Sequence, residues 1–335
     1  MKEIKVVSYG IGWIGAKMAE AMLEKKGLRI VGAVDIDPNK VGKDLGEYLG
    51  RNRLGVTISD DPDKVLSTLK PDIVVHTTSS YLKDTSAQFA KILEHGVNIV
   101  STCEELSYPY VTEEQSKLAE KLDKLAKEKG ATIVGTGINP GFLMDTLAIT
   151  LTGPCVKVDR ITIVRQMNAA TRRVPFQKKI GAGLSLADFK RKISEHEITG
   201  HVGLEQSIGM IANALEWKLD EIKVEDVQPV IAEKAVKSDA ISVPKGHCAG
   251  LKQIAKGMKG KEALITLDFR AYIGAEEEFD AVTVDGVPPI KQRITPCVHG
   301  DHGTIGITIN TIPKVLEAEP GLKTMKDLPV PSATM

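Results

Sequence analysis

Gly10-Ile11-Gly12-Trp13-Ile14-Gly15 stands between an apolar run, Ile4 to Tyr9, and a stretch from Ile14 to Lys26 whose Met18, Met22 and Leu23 share one helical face. The pattern G-x-G-x-x-G is weak alone. A strand before it and a helix after it make it a dinucleotide-binding turn. Gly10 permits the tight turn, Gly12 lets a pyrophosphate approach the backbone, and Gly15 lets the helix pack on the strand. The helix N-terminus presents unbonded N–H groups and the positive end of its dipole to the phosphates. A second strand, Leu28 to Val34, runs into Asp35, about twenty residues past the last glycine, where a carboxylate accepts ribose hydroxyls and repels a 2′-phosphate. NAD is therefore favoured over NADP. Lys40, Lys43, Arg51 and Arg53 follow, and they would neutralise a 2′-phosphate if their loop folds back.

The rest of the first third repeats the alternation. Strand-like runs at Ile73 to His76, Val97 to Ser101 and Thr132 to Gly135 are separated by amphipathic stretches at Pro62 to Leu69, Lys83 to His95 and Thr112 to Lys129. That pattern predicts an α/β domain, a Rossmann-type doubly wound parallel sheet. The pattern changes near Gly135. Val156 to Gln166 is a longer strand, and helices are expected at Leu186 to Glu195 and Glu205 to Leu219. Strand-like runs follow at Asp226 to Ala235, Glu262 to Ala271 and Phe279 to Val284. This is an α+β pattern, with a mostly antiparallel sheet and helices on one side. Thr304 to Leu316 reads as a last helix, ended by Pro313, Pro320 and Gly321. The expected organisation is a dinucleotide-binding domain over 1–138, an α+β substrate and dimerisation domain over 139–303, and a helix and tail over 304–335 returning toward the first domain.

Composition narrows the function classes. The 335 residues, 42% of them hydrophobic and 26% charged, are enough for two ordinary soluble domains. Basic and acidic residues balance at 44 each, so no nucleic-acid footprint or membrane-surface patch is expected. No apolar run reaches the roughly 18 residues of a membrane span, and no signal-peptide pattern precedes the first strand. The cysteines Cys103, Cys155, Cys248 and Cys297 form no C-x-x-C pair, which points to reduced thiols in a cytoplasmic protein.

Candidate chemistry gathers behind the strands. Thr77, Thr78 and Ser79 follow the strand ending at His76, a position where such sheets bind ligands; they also suit an N-cap for the next helix. Ser101-Thr102-Cys103-Glu104-Glu105 follows the next strand. Cys103 is placed with the cofactor contacts. Glu104 and Glu105 are read as a general base or as solvated strand-end charges. Oxidising an amine needs the neutral nitrogen, and hydrolysing the imine needs an activated water, so one carboxylate can serve both steps. Gly135 to Phe142 joins the domains, a shaped hinge in which Asn139 is a candidate for cofactor and substrate contact; Asp145 suits an N-cap. In the second domain Arg172 and Arg173 could grip a carboxylate, Arg173 being the chosen substrate residue, with the glycine-flanked His201 and His247. His299, Asp301 and His302 lack a convincing third metal ligand, so no metal is expected.

The loop at Gly10 to Gly15, the runs Ser101 to Glu105, Gly135 to Asp145 and Arg172 to Lys190, and the closing segment His299 to Pro331 together resemble the 2,4-diaminopentanoate dehydrogenase family, within the group sharing the dihydrodipicolinate reductase fold. Gly200-His201-Val202-Gly203-Leu204 and Gly300-Asp301-His302-Gly303 are its more specific features. The resemblance spans nearly the whole chain. It implies NAD(P)-dependent oxidative deamination of 2,4-diaminopentanoate to 2-amino-4-oxopentanoate and ammonia, reversible as reductive amination of ketones. It implies a homodimer, and it points to Glu104 as the catalytic carboxylate, ahead of Glu105. The Lys-x-Asp-x-Pro-Ser-Gly-Thr-Ala run of dihydrodipicolinate reductases is missing, which disfavours that activity. An imine reductase, a semialdehyde or alcohol dehydrogenase on the same fold, and a non-catalytic NAD-binding sensor are the other readings.

Overall fold

A computed structural model describes residues 3–333. The chain forms two compact units, dividing after Phe142 and again before Gly300. In the first, β1 (Ile4–Tyr9) leads to α1 (Trp13–Leu23) and β2 (Leu28–Val34). α1 turns Met18, Ala19 and Met22 into the interior. A loop carries α2 (Leu45–Tyr48) and β3 (Ile58–Ser59). Asp44 organises it: Oδ1 accepts from the N–H groups of Gly46 and Leu54, and Oδ2 from that of Val56. α3 (Pro62–Leu69) is capped by Asp61, with proline in its first turn, where the missing N–H costs nothing. β4 (Ile73–His76), α4 (Leu82–Glu94), β5 (Asn98–Ser101), α5 (Glu113–Lys129) and β6 (Thr132–Gly135) follow. Thr112 caps α5 and Gly130 closes it in the left-handed conformation.

The second unit begins with α6 (Thr146–Thr152), β7 (Lys157–Asn168), α7 (Val174–Lys179), α8 (Leu186–Ser194) and α9 (Leu204–Ala214). Short strands β8 (Glu221–Val224), β9 (Gln228–Ile231), β10 (Val236–Lys237) and β11 (Ser242–Val243) precede four long ones, β12 (Cys248–Lys259), β13 (Glu262–Tyr272), β14 (Phe279–Val287) and β15 (Ile290–Ile294). The large sheet runs β15-β14-β7-β13-β12-β8, with β9 also on β12. Its pairings are antiparallel except β13 with β7. α6 and α9 cover one face, over Ile161, Ile163, Ala255, Ile265, Leu267 and Val282. The alternate residues of the same strands are only half-buried.

The chain then re-enters the first unit with α10 (Gly300–Glu317) and β16 (Gly321–Lys323). The completed sheet is parallel throughout, in the order β16-β6-β5-β4-β1-β2-β3. The order reverses at β1, between β2 and β4. That switch point is where doubly wound sheets leave a crevice at the carboxyl ends of the strands.

Four expectations are corrected. The last helix starts at Gly300 rather than Thr304 and passes through Pro313 to Glu317: a proline inside a helix removes one hydrogen bond, and here the helix tolerates that loss. The Asp226 to Ala235 run is broken into β9 and a turn, and the helix from Leu204 stops at Ala214 rather than Leu219. β12 lies where no strand was expected. It alternates Gln253, Ala255 and Gly257 inward with Ile254, Lys256 and Met258 on the other face.

Candidate active site

The glycine loop fills the switch point. Gly10 has φ +88°, and a Cβ there would lie 2.8 Å from the Thr77 carbonyl oxygen. A Cβ on Gly15 would come within 1.8 Å of the Gly10 carbonyl oxygen, so the helix sits on the loop at glycine-only distance. Gly12 is different. It is the N-cap of α1, no side chain caps that helix end, and a Cβ on it would meet nothing within 4 Å. The loop is thus tight beneath and open above, with the helix N–H groups facing the opening, the shape a dinucleotide diphosphate requires. Trp13 is about half exposed beside it, and Ile14 is half-buried. Thr77 locks the loop from the neighbouring strand: its hydroxyl donates to the Gly10 carbonyl at 2.6 Å and its N–H to the Tyr9 carbonyl at 2.8 Å.

Asp35 reaches back to the loop. Its Oδ2 accepts from the Ile11 N–H at 2.6 Å and from Lys40 Nζ at 3.1 Å, while Oδ1 accepts from the Asp37 N–H at 2.9 Å. Of the four downstream cations only Lys40 makes this approach. Arg51 pairs with Glu24, Arg53 lies at 4.0 Å from Asp44, and Lys43 is exposed. A carboxylate offers about four lone-pair sites, so three donors leave room for a ribose hydroxyl on Oδ1.

Ser79 shapes the start of α4. Its hydroxyl donates to Asp84 and accepts from the Tyr81 N–H. Thr78 is exposed, and its hydroxyl donates to Gln88 Oε1. Ser101, Cys103, Glu104 and Glu105 form the turn leaving β5. Cys103 is buried, its thiol donating to the Ser80 carbonyl oxygen. Burial pushes that thiol up to about 12, so it stays protonated, and its backbone N–H and carbonyl are taken by Ser101 Oγ and the Leu106 N–H. The two glutamates part company. Glu105 Oε2 accepts the Leu82 N–H at 2.7 Å and so occupies the N-terminus of α4, where the dipole favours a carboxylate. Glu104 is half-buried, its carbonyl held by the N–H and hydroxyl of Ser107. Asn139 is buried in the first unit.

In the second unit, Arg172 and Arg173 also differ. Arg173 is exposed at the start of α7, whereas Arg172 is half-buried, its guanidinium 4.7 Å from the centre of the Phe176 ring and in contact with the Met167 sulfur. His201 stacks on Phe269 with ring centres 4.6 Å apart and planes 5° apart; its N–H donates to Gln253 Oε1. Met167 pairs with Ala271 and Phe269 with Arg165 on adjacent strands, so Arg172 and His201 rest on neighbouring positions of one sheet face. His247 does not join them. It precedes β12 by one residue, six residues from Gln253, the cross-strand neighbour of Phe269, or about 20 Å of extended chain. The supporting roles of Phe269 and Met167 were not read from the sequence; their inward positions in alternating strands were the available signal. Among the described residues no group of three His, Cys, Asp or Glu side chains is placed to hold a metal ion, and no helix is long and apolar enough to cross a membrane.

A dinucleotide cradle at the switch point of a parallel sheet, an acid at the end of β2 and a glutamate turn after β5 are the equipment of a nicotinamide-dependent dehydrogenase. Residues 4–136 match the family described as "Dihydrodipicolinate reductase, N-terminus", and residues 142–335 match "2,4-diaminopentanoate dehydrogenase C-terminal domain". The chain is 34% identical to a 2,4-diaminopentanoate dehydrogenase of Acetoanaerobium sticklandii, covering 100% of this chain and 96% of that protein. It is 23% identical to an amine dehydrogenase of Streptomyces virginiae, over 98% and 96%. A solved amine dehydrogenase from Mycobacterium smegmatis superposes with a TM-score of 0.82 at 29% identity, over 99% and 98%. The chain belongs to the 2,4-diaminopentanoate dehydrogenase family and is an NAD(P)-dependent amine dehydrogenase.

Proposed function

We propose that the enzyme oxidises 2,4-diaminopentanoate at the carbon bearing its distal amine, releasing 2-amino-4-oxopentanoate and ammonia, with NAD preferred over NADP and Glu104 as the base. The observation carrying the assignment of the base is the place of Glu104, half-buried in the turn that leaves β5 at the carboxyl edge of the parallel sheet, whereas Glu105 Oε2 accepts the Leu82 N–H at the start of α4.

A bound oxidised nicotinamide supplies the hydride acceptor. The substrate arrives as an ammonium, which has no lone pair to assist loss of hydride. Glu104 takes one proton from that nitrogen. With hydride gone, the nitrogen is an iminium; the carboxylate, having passed its first proton to solvent, takes a second from water as the water oxygen adds to carbon, and returns it to the nitrogen that leaves. Collapse of the carbinolamine forms the ketone and expels ammonia. One water is consumed, and two electrons leave with the hydride. Asp35 favours NAD because its carboxylate would repel a 2′-phosphate. In the second unit the amino-acid end of the substrate is assigned to Arg173 and His201, with Arg172 the stronger arginine because it is half-buried against Phe176. A homodimer belongs to the same reading, supported by the half-exposed face of the second sheet, which carries Val164, Ile254, Met258 and Leu264.

Incubation with 2,4-diaminopentanoate and NAD or NADP tests the proposal. Ammonia and reduced cofactor are expected in equal amounts, faster with NAD. Absence of ammonia with both cofactors would overturn the substrate assignment.

A further inference from the structure

We propose that His76 is a positioning residue for catalysis, holding the turn that carries Glu104 through the hydroxyl of Ser101; this rests on the assignment of Glu104 as the base. His76 ends β4 and Ser101 ends β5, directly opposite each other in the parallel register. Both are fully buried. The imidazole lies between Tyr9 and Phe89, with ring centres 5.2 and 4.6 Å away.

The partners decide its proton. Nε2 is 2.7 Å from Gln88 Oε1, an atom that only accepts, so Nε2 carries the hydrogen. Nδ1, 3.0 Å from Ser101 Oγ, must then accept, and the serine hydroxyl is turned toward it. That leaves the lone pairs of Ser101 Oγ for the Cys103 N–H at 3.1 Å. Thr78 Oγ1 lies 3.1 Å from Nε2 and donates to the same Gln88 oxygen. A continuous line therefore runs from Thr78, beside the glycine loop, through Gln88, His76 and Ser101 to the backbone N–H of Cys103, the residue before Glu104. Burial pushes the imidazole down to about 4, so it stays neutral and keeps this one arrangement.

The chemistry needs only the Nδ1 end of the ring. Asparagine places a carboxamide oxygen near the Nδ1 position, while glutamine reaches toward Nε2 and loses Ser101. In the full-length enzyme, His76→Asn is expected to keep kcat within about three-fold of wild type, and His76→Gln and Ser101→Ala to lower kcat about ten-fold or more, because a misplaced general base loses rate without losing affinity. The KM for the amine and the Kd of NADH, read by its fluorescence in the absence of amine, should stay within about two-fold. A wild-type kcat in Ser101→Ala, or an equal fall in His76→Asn and His76→Gln, overturns the proposal. So does a loss confined to NADH affinity. Ser101→Ala removes one oxygen and decides the matter if the His76 variants fail to fold. Glu104→Gln is measured alongside. If it retains activity, the base assignment is what failed; if it is inactive while Ser101→Ala is unimpaired, only the role of His76 fails.

Discussion

Asp35 is bonded to the glycine loop itself, its Oδ2 accepting the Ile11 N–H at 2.6 Å. The end of β2 and the turn after β1 are thus one rigid piece, and the residue proposed to read the ribose also sets the loop. Lys40 sits on the same oxygen. Asp35→Ser removes the carboxylate and releases Lys40. NADH binding should weaken about ten-fold, the loss of a charge-assisted hydrogen bond, while NADPH binding holds or improves. Fluorescence titration of both reduced cofactors measures this, and an equal loss for both would show that Asp35 acts on the loop alone.

Gly12 and Gly15 should fail in different ways. A Cβ on Gly12 meets open space, whereas one on Gly15 meets the Gly10 carbonyl. Gly12→Ala should therefore melt like wild type yet bind NADH at least about ten-fold more weakly, because the new methyl occupies the diphosphate position. Gly15→Ala should lower the melting temperature as well. Normal NADH affinity in Gly12→Ala would place the diphosphate elsewhere.

The adjacent glutamates give a paired test. Glu104→Gln should reduce kcat by about 10²-fold or more, the usual scale for a general base. Glu105→Gln should keep most of the activity and lose about 1 kcal/mol of stability, since a neutral amide interacts less with the α4 terminus. Steady-state rates and urea midpoints of the two variants should invert one another's pattern.

His76 also predicts a pH effect on stability. Its folded value, about 4, lies below the ordinary 6.5. As pH falls from 6.5 toward 4 the unfolded chain takes up the proton and the folded one does not, so stability declines across that window and the loss is complete below it. The contribution is about 3 kcal/mol at most. His76→Asn should have a flatter stability profile between pH 7 and 4. Parallel profiles for the two proteins would place the acid sensitivity in other groups.

In the second unit Arg165 and Asp280 form a buried ion pair at 2.7 Å that also holds both backbone groups of Val298. Burial raises the aspartate, with Arg165 opposing. Asp280→Ala strands a buried guanidinium and should cost about 3–5 kcal/mol, and Arg165→Met with Asp280→Leu should recover most of it. Denaturant midpoints of the single and double variants measure this.

The parallel sheet was legible in the sequence because β1, β4 and β5 each carry a short buried apolar centre, Val6-Val7, Ile73-Val74-Val75 and Ile99-Val100, and the glycine loop set their direction. β12 escaped notice for a physical reason. Its inward Gly257 lets Leu219 and Ile208 approach within 2.8 and 2.9 Å of where a Cβ would be, so a buried position carries no apolar letter, and lysines fill much of the other face. The site was legible as far as the glutamate pair. That Glu105 serves α4 could not be seen, because Leu82 and Glu105 are 23 residues apart and meet only when β4 and β5 pair. His76 looked like the end of a strand for the same reason.

The first unit is discontinuous in the chain. β16 lies alongside β6, and α10 packs against β5, β6 and α1, yet both are synthesised only after the entire second unit. Order of translation and order of completion therefore part company. A nascent chain that has made its cofactor loop still exposes the outer edge of β6 and the apolar sheet surface that α10 will cover. It must carry that unfinished surface through the making of the second unit.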